Sequence, residues 1–153
     1  MLLEIEKIIN GLEEDKKEID KNVETIAKLR ERQLETVKNL IKEYERIFTW
    51  YWNNGVAFSH PRLKEFMSSI GPIVGYDEKD ERLFIYNCLD KKFESVNPRN
   101  TEDRQTKNLN ILIRYGYFED IVSGIKHTLV RQKEVLEKQY RLIDELENQL
   151  NNF

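Results

Sequence analysis

Residues 2–51, LLEIEKIINGLEEDKKEIDKNVETIAKLRERQLETVKNLIKEYERIFTWY, decide the fold. Taken alternately three and four residues apart, they give Leu2, Ile5, Ile9, Leu12, Lys16, Ile19, Val23, Ile26, Arg30, Gln33, Val37, Leu40, Tyr44, Ile47 and Tyr51. Twelve of these 15 positions are apolar, a heptad seam sustained without a stutter that predicts a coiled-coil helix. Only Gly11 and no proline interrupts the run, so the helix is expected to be continuous and about 75 Å long.

A second seam lies at the other end of the chain: Phe118, Val122, Ile125, Leu129, Gln132, Leu136, Gln139, Ile143, Leu146, Leu150 and Phe153. With a short segment between the two seams, the simplest expectation is a long antiparallel helical hairpin. Setting Tyr51 beside Phe118 brings Arg30 opposite Gln139 and Val37 opposite Gln132, so the polar interruptions of both seams fall at one level. Buried polar groups need partners, which favours that register. The expected organisation is an N-terminal coiled-coil helix over residues 1–50, a small α+β head over 51–117, and a C-terminal coiled-coil helix over 118–153.

The seams are wider than two-helix packing needs. Ala27, Leu34, Ile41 and Phe48 add an apolar line to the first helix; Ile121, Val135 and Leu142 do so on the second. Wide stripes belong to bundles of three or four helices. The hairpin register also leaves Leu2, Ile5, Ile9 and Leu12 beyond its end. These observations predict a homodimer with its hairpins joined in a four-helix bundle, using Leu2, Ile5, Ile9, Leu12, Leu34, Ile41, Val135 and Leu142 as dimerisation residues.

Within the head, Ser59-His60-Pro61 reads as a helix start, with Leu63, Phe66, Met67 and Ile70 on one helical face and Gly71-Pro72 as its stop. Ile73–Tyr76 and Leu83–Leu89 read as strands joined by the all-charged connector Asp77–Arg82, a hairpin, with Phe93–Val96 as a third strand. Thr101 is expected to cap a helix reaching Tyr115, and Gly116 separates it from the final arm.

Composition restricts function. Charged residues make up 35 % of the chain and net charge is −3, distributed as −2, +1 and −2 over the three segments. No segment carries a basic footprint for nucleic acid. One cysteine, Cys88, cannot form an internal disulfide, and its apolar surroundings suit core packing. No signal-peptide pattern and no apolar run of membrane-spanning length occurs, so the chain is expected to be cytoplasmic. Heavy Lys, Ile and Asn usage points to an AT-rich bacterial or phage genome.

Chemistry-bearing patterns are sparse. The two histidines, His60 and His127, lack a second ligand at helical spacing, and a single cysteine gives no zinc pattern. His127 is expected on the outer face of the last helix. There is no Gly-rich phosphate loop and no nucleophile elbow. Glu13, Glu14, Asp15 and Glu18 read as surface charge. Neither an enzyme, a cofactor nor a metal is expected. The notable cluster is aromatic and basic: Trp50, Tyr51, Trp52, Asn54, His60 and Arg62, with Arg99, Arg104 and Tyr117 from later in the head. Trp, Tyr and Arg carry binding energy in protein interfaces and also stack on bases.

The layout of helix, small β-containing head and helix resembles that of prefoldin subunits and of phage Gam-like end-binding proteins, in layout alone; no residue motif carries over. The function expected is a non-enzymatic protein–protein interaction module, an adaptor, scaffold or inhibitor acting as a dimeric helical rod that presents its head to a protein partner. The alternative is a nucleic-acid or nucleotide binder using the aromatic and arginine cluster.

Overall fold

A computed structural model describes residues 1–153. The first seam forms one unbroken helix, α1 (Leu2–Asn53, 52 residues), about 78 Å long. A four-stranded antiparallel meander follows: β1 (Ile73–Asp77), β2 (Arg82–Asn87), β3 (Lys92–Asn97) and β4 (Asn100–Lys107), in spatial order β1-β2-β3-β4. Then come α2 (Leu109–Arg114), α3 (Phe118–Lys126), a 3-10 turn (His127–Leu129) and α4 (Arg131–Asn151). The molecule is a helical protein with a long N-terminal helix and an antiparallel sheet.

The sheet is covered on both faces, which explains why β2, RLFIYN, reads as a continuous apolar run without alternation. One face carries Val74, Phe84, Tyr86 and Phe93 against α1, α2 and α3, through Val37, Phe48, Tyr51, Leu112, Ile113, Ile121 and Ile125. The other carries Ile73, Leu83, Ile85 and Val96 beneath Leu63, Phe66, Ile70 and Tyr76. Helix α3 lies close against β1 because Gly124 has no side chain; a Cβ there would collide with the Ile73 carbonyl oxygen. The two hairpin turns share one device. Asp77 Oδ1 accepts from the Lys79 and Asp80 amides, and Asn87 Oδ1 from those of Leu89 and Asp90. Each turn closes on a left-handed residue, Glu81 (φ 52°) or Lys91 (φ 55°). Arg82 staples three strands, donating to the Ser95 hydroxyl (2.6 Å) and carbonyl (3.0 Å) and to the Asp103 carbonyl (3.1 Å).

Five sequence expectations change. Residues 61–70 are not a helix. Phe58 and Ser68 exchange backbone hydrogen bonds (2.7 and 2.9 Å), and the Ser68 hydroxyl accepts from the Ile70 amide (3.2 Å). These bonds hold the segment in turns that lay Leu63, Phe66 and Ile70 on the sheet; the helical spacing served a cover. Thr101 caps nothing: residues 100–107 are β4, an exposed, charged edge strand, and Asn108 caps α2 instead, accepting from the Asn110 amide (2.8 Å). Charge on an edge strand discourages further pairing. The hairpin is part of a four-stranded sheet.

The C-terminal seam is not one helix. It breaks at residues 127–130, because 118–126 are held on the sheet as α3 while α4 projects away. Finally, the expected register of α1 against the C-terminal helix does not occur. Val37 is fully buried in the head, apart from Gln132. Arg30 lines a groove with α2 rather than facing Gln139. The physical reason is that α2 and α3 occupy the face of α1 that such a hairpin would need.

Candidate interaction surface: two bare arms and the grooves at their roots

The head packs on only the last third of α1. From Met1 to Arg32 the helix touches almost nothing, and its aliphatic seam faces solvent: Ile9 is 47 % exposed, Leu12 61 %, Val23 59 % and Ile26 46 %. Helix α4 is equally bare after Val135, with Leu136, Leu142, Ile143, Leu146 and Leu150 exposed. Both helices are amphipathic and neither is covered.

The arms share a root. The Tyr51 hydroxyl donates to the Thr128 carbonyl and accepts from the Gln132 amide (3.2 Å). Burial pushes its pKa up, against the lowering effect of that amide. Beyond this lock no hydrogen bond or ion pair joins α1 to α4. The open angle between them is a groove of about 790 Å³ lined by Arg46, Ile47, Trp50, Leu129, Lys133 and Leu136, among others. A second groove, of about 650 Å³, runs between the α1 seam and α2: Val23, Ile26, Arg30 and Leu34 on one side, Ile111 and Arg114 on the other.

The structure disperses the aromatic and arginine cluster expected from sequence. Trp50 lines the root groove with its ring against Tyr51 (centroids 5.4 Å apart), while Tyr51 is buried and structural. Trp52 is partly exposed outside that groove. Asn54 finishes α1, its amide donating to the Trp50 carbonyl (2.8 Å). Arg62 is ion-paired with Asp120. Arg99 sits in a groove with Phe66 and Tyr76. Arg104 is on β4, 3.7 Å from Glu94. Tyr117 stands edge-on to Phe84 and donates to the Tyr76 carbonyl (3.5 Å). Of the expected dimerisation residues, Leu2, Ile5, Ile9, Leu12 and Leu142 are exposed, Val135 is half-buried, and Leu34 and Ile41 pack against the head's core.

Both histidines are interior, which corrects the expected outer-face place of His127. His60 is fully buried. Its Nδ1 accepts from the Arg62 amide (3.1 Å) and its Nε2 lies 2.9 Å from the Asp120 carbonyl. The ring is therefore neutral with its proton on Nε2. Burial drives its pKa below the usual value, outweighing the raising effect of Asp120; the charges of Arg62 and His127 act with burial. His127 is nearly buried; its Nε2 lies 3.1 Å from the Ser59 hydroxyl and 2.8 Å from Glu134 Oε1. Burial favours the protonated form of Glu134, but His127 and Arg131 together outweigh it and hold the carboxyl below its usual range. A serine, histidine and glutamate in contact invite comparison with a hydrolase triad. There the hydroxyl and the carboxylate use opposite ring nitrogens. Here both approach Nε2, whose proton points to Glu134, so that nitrogen has no lone pair to take the Ser59 proton. Arg131 completes the knot by donating to the Ala57 carbonyl (2.9 Å). The cluster fixes the start of α4 to the head.

Cys88 is half-buried, its thiol donating to the Ile70 carbonyl (3.0 Å), and burial pushes its pKa up. No group of three or more His, Cys, Asp or Glu side chains is placed to hold a metal ion. No helix is long and apolar enough to cross a membrane. Compared with protein-family models, curated proteins and solved structures, the chain has no match.

Proposed function

We propose that this protein is a non-catalytic protein–protein interaction module, a dimeric helical rod whose arms join two copies and whose heads are presented to a protein partner, as in an adaptor, scaffold or inhibitor. The observation that carries this reading is the bare seam of α1 and α4. A helix draws most of its stability from packing an apolar face, yet residues 1–32 keep a coiled-coil seam in water. Each aliphatic left bare forgoes roughly 1.5 kcal/mol or more relative to burial. In a dimer the bare seams of α1 and α4 supply the apolar faces through which the arms of two copies pair.

Binding of nucleic acid by the aromatic and arginine cluster is the weaker reading, because Trp50, Arg62, Arg99 and Arg104 stand in separate places and Arg62 and Arg104 face carboxylates. The direct test is mass by light scattering on the full chain. The expected result is twice the chain mass at micromolar concentration, falling to one chain mass in Ile9→Asp/Ile26→Asp with the head's near-ultraviolet signal retained. A single-chain mass for the unaltered protein at high concentration rejects the rod.

A further inference from the structure

The α1 seam changes character at a definite point. Up to Arg30 it is bare, Gln33 is half-buried, and from Leu34 onward the same face belongs to the head, where Val37, Phe48 and Tyr51 are buried. Because α1 is a single unbroken helix from Leu2 to Asn53, any helix lying along the bare seam meets the head near Leu34. A parallel partner in register cannot stop at that point. Its own residues 34–53 would run on into the space that the head fills. It would also stack Arg30 on Arg30 and Gln33 on Gln33, with Ala27, Leu29 and Leu34 flanking the arginines and no acid in the layer.

An antiparallel partner removes the stacked arginines. Coiled-coil layers pair an a position with a d position in this orientation. The register that uses all of the bare seam sets Leu2 against Gln33, Ile5 against Arg30, Ile9 against Ile26, Leu12 against Val23, and Lys16 against Ile19. Residues 2–12 of the incoming helix then lie along α1 residues 23–33. Its first three turns enter the groove between α1 and α2, lined by Val23, Ile26 and Leu34 with Ile111, and by the charged Arg30, Glu31 and Arg114. That end of the helix is aliphatic, with Ile5 and Ile9, and its Glu4, Glu6 and Lys7 sum to −1, opposite in sign to the +1 of Arg30, Glu31 and Arg114 in the groove. Seven aliphatics per copy, with on the order of 60–100 Å² of bare apolar surface each, amount to about 1,000 Å², the size at which an interface becomes specific.

We infer that residues 2–12 of a second copy occupy the groove between α1 residues 23–34 and α2, so that the α1 arms pair antiparallel and the two heads stand at opposite ends of the rod. The inference rests on the reading that the arms join two copies, and adds direction and register to it. The rod is then bivalent, each head facing outward from its own end, rather than a fork with both heads together.

Cysteine cross-linking of the full chain in a Cys88→Ser background tests this. In the antiparallel register Leu12 sits across from Val23 of the second copy, whereas the two Val23 residues are about 16 Å apart along the axis. The expected result is that Leu12→Cys and Val23→Cys each stay uncross-linked alone under mild oxidation and form a covalent heterodimer when mixed. Self-cross-linking of Val23→Cys alone overturns the proposal in favour of a parallel pair. A dimer by light scattering that cross-links in none of these combinations also overturns it, placing the contact on α4 while leaving the dimeric rod intact. A monomer by light scattering removes the rod itself.

Discussion

At the scale of single residues, buried polar groups govern how the head responds to acid. His60 is neutral in the fold because its Nδ1 already accepts from the Arg62 amide, so a second ring proton has no acceptor to meet. A group whose folded pKa lies below its unfolded value stabilises the protein above the unfolded pKa and loses that contribution as pH falls. For His60 the loss starts near pH 6.5, the ordinary histidine value. Glu134 has the same sign one step lower, its contribution fading as pH drops below its ordinary 4.5. Urea unfolding of the head, followed by tryptophan and tyrosine signals, is therefore expected to show lower stability at pH 5.5 than at pH 7.5. Equal or greater stability at pH 5.5 contradicts the buried neutral ring. Neither histidine was legible from sequence. His60 precedes a proline in a polar stretch and His127 sits in an amphipathic run; both acquire their surroundings from elements about 60 to 70 residues away.

At the scale of elements, the close contact of α3 with β1 is the most specific packing event in the head. Gly124→Ala sets a methyl group against the Ile73 carbonyl, which belongs to backbone and cannot rotate aside. Overpacking of this kind costs typically 1–3 kcal/mol, and a thermal or urea midpoint lowered by that amount is the expected result. An unchanged midpoint would mean that α3 stands further from the sheet. The same region shows what sequence could convey. The first helix was legible because 12 apolar seam positions recur over seven heptads. The strands from Ile73, Leu83 and Phe93 were legible from apolar runs punctuated by Asp and Asn turns. Strand β4 was not, since NTEDRQTK has no apolar face and only its hydrogen bonds to β3 define it. The residues from Leu63 to Ile70 mimicked a helix because a loop pressed on a flat sheet also needs apolar groups at intervals. The break at His127–Val130 was hidden by a seam that continues through it in sequence while two separate helices share it in space.

At the scale of the whole molecule, the head is a finished core and the arms are not. The head buries aromatic and aliphatic side chains on both faces of its sheet. The arms hold aliphatic seams out into water over residues 1–32 and again beyond Val135. On the proposed reading, this division assigns self-association to the helices and partner binding to the head. An uncovered helical arm opens and closes its amide hydrogen bonds rapidly, whereas a paired one exchanges only when the pair separates. Peptide-resolved hydrogen exchange on the intact chain at two protein concentrations is the most direct measurement of that difference. The account predicts slow exchange over residues 2–33 that slows further as concentration rises, with the head unaffected. Rapid exchange of that segment at both concentrations, beside a protected head, would contradict it.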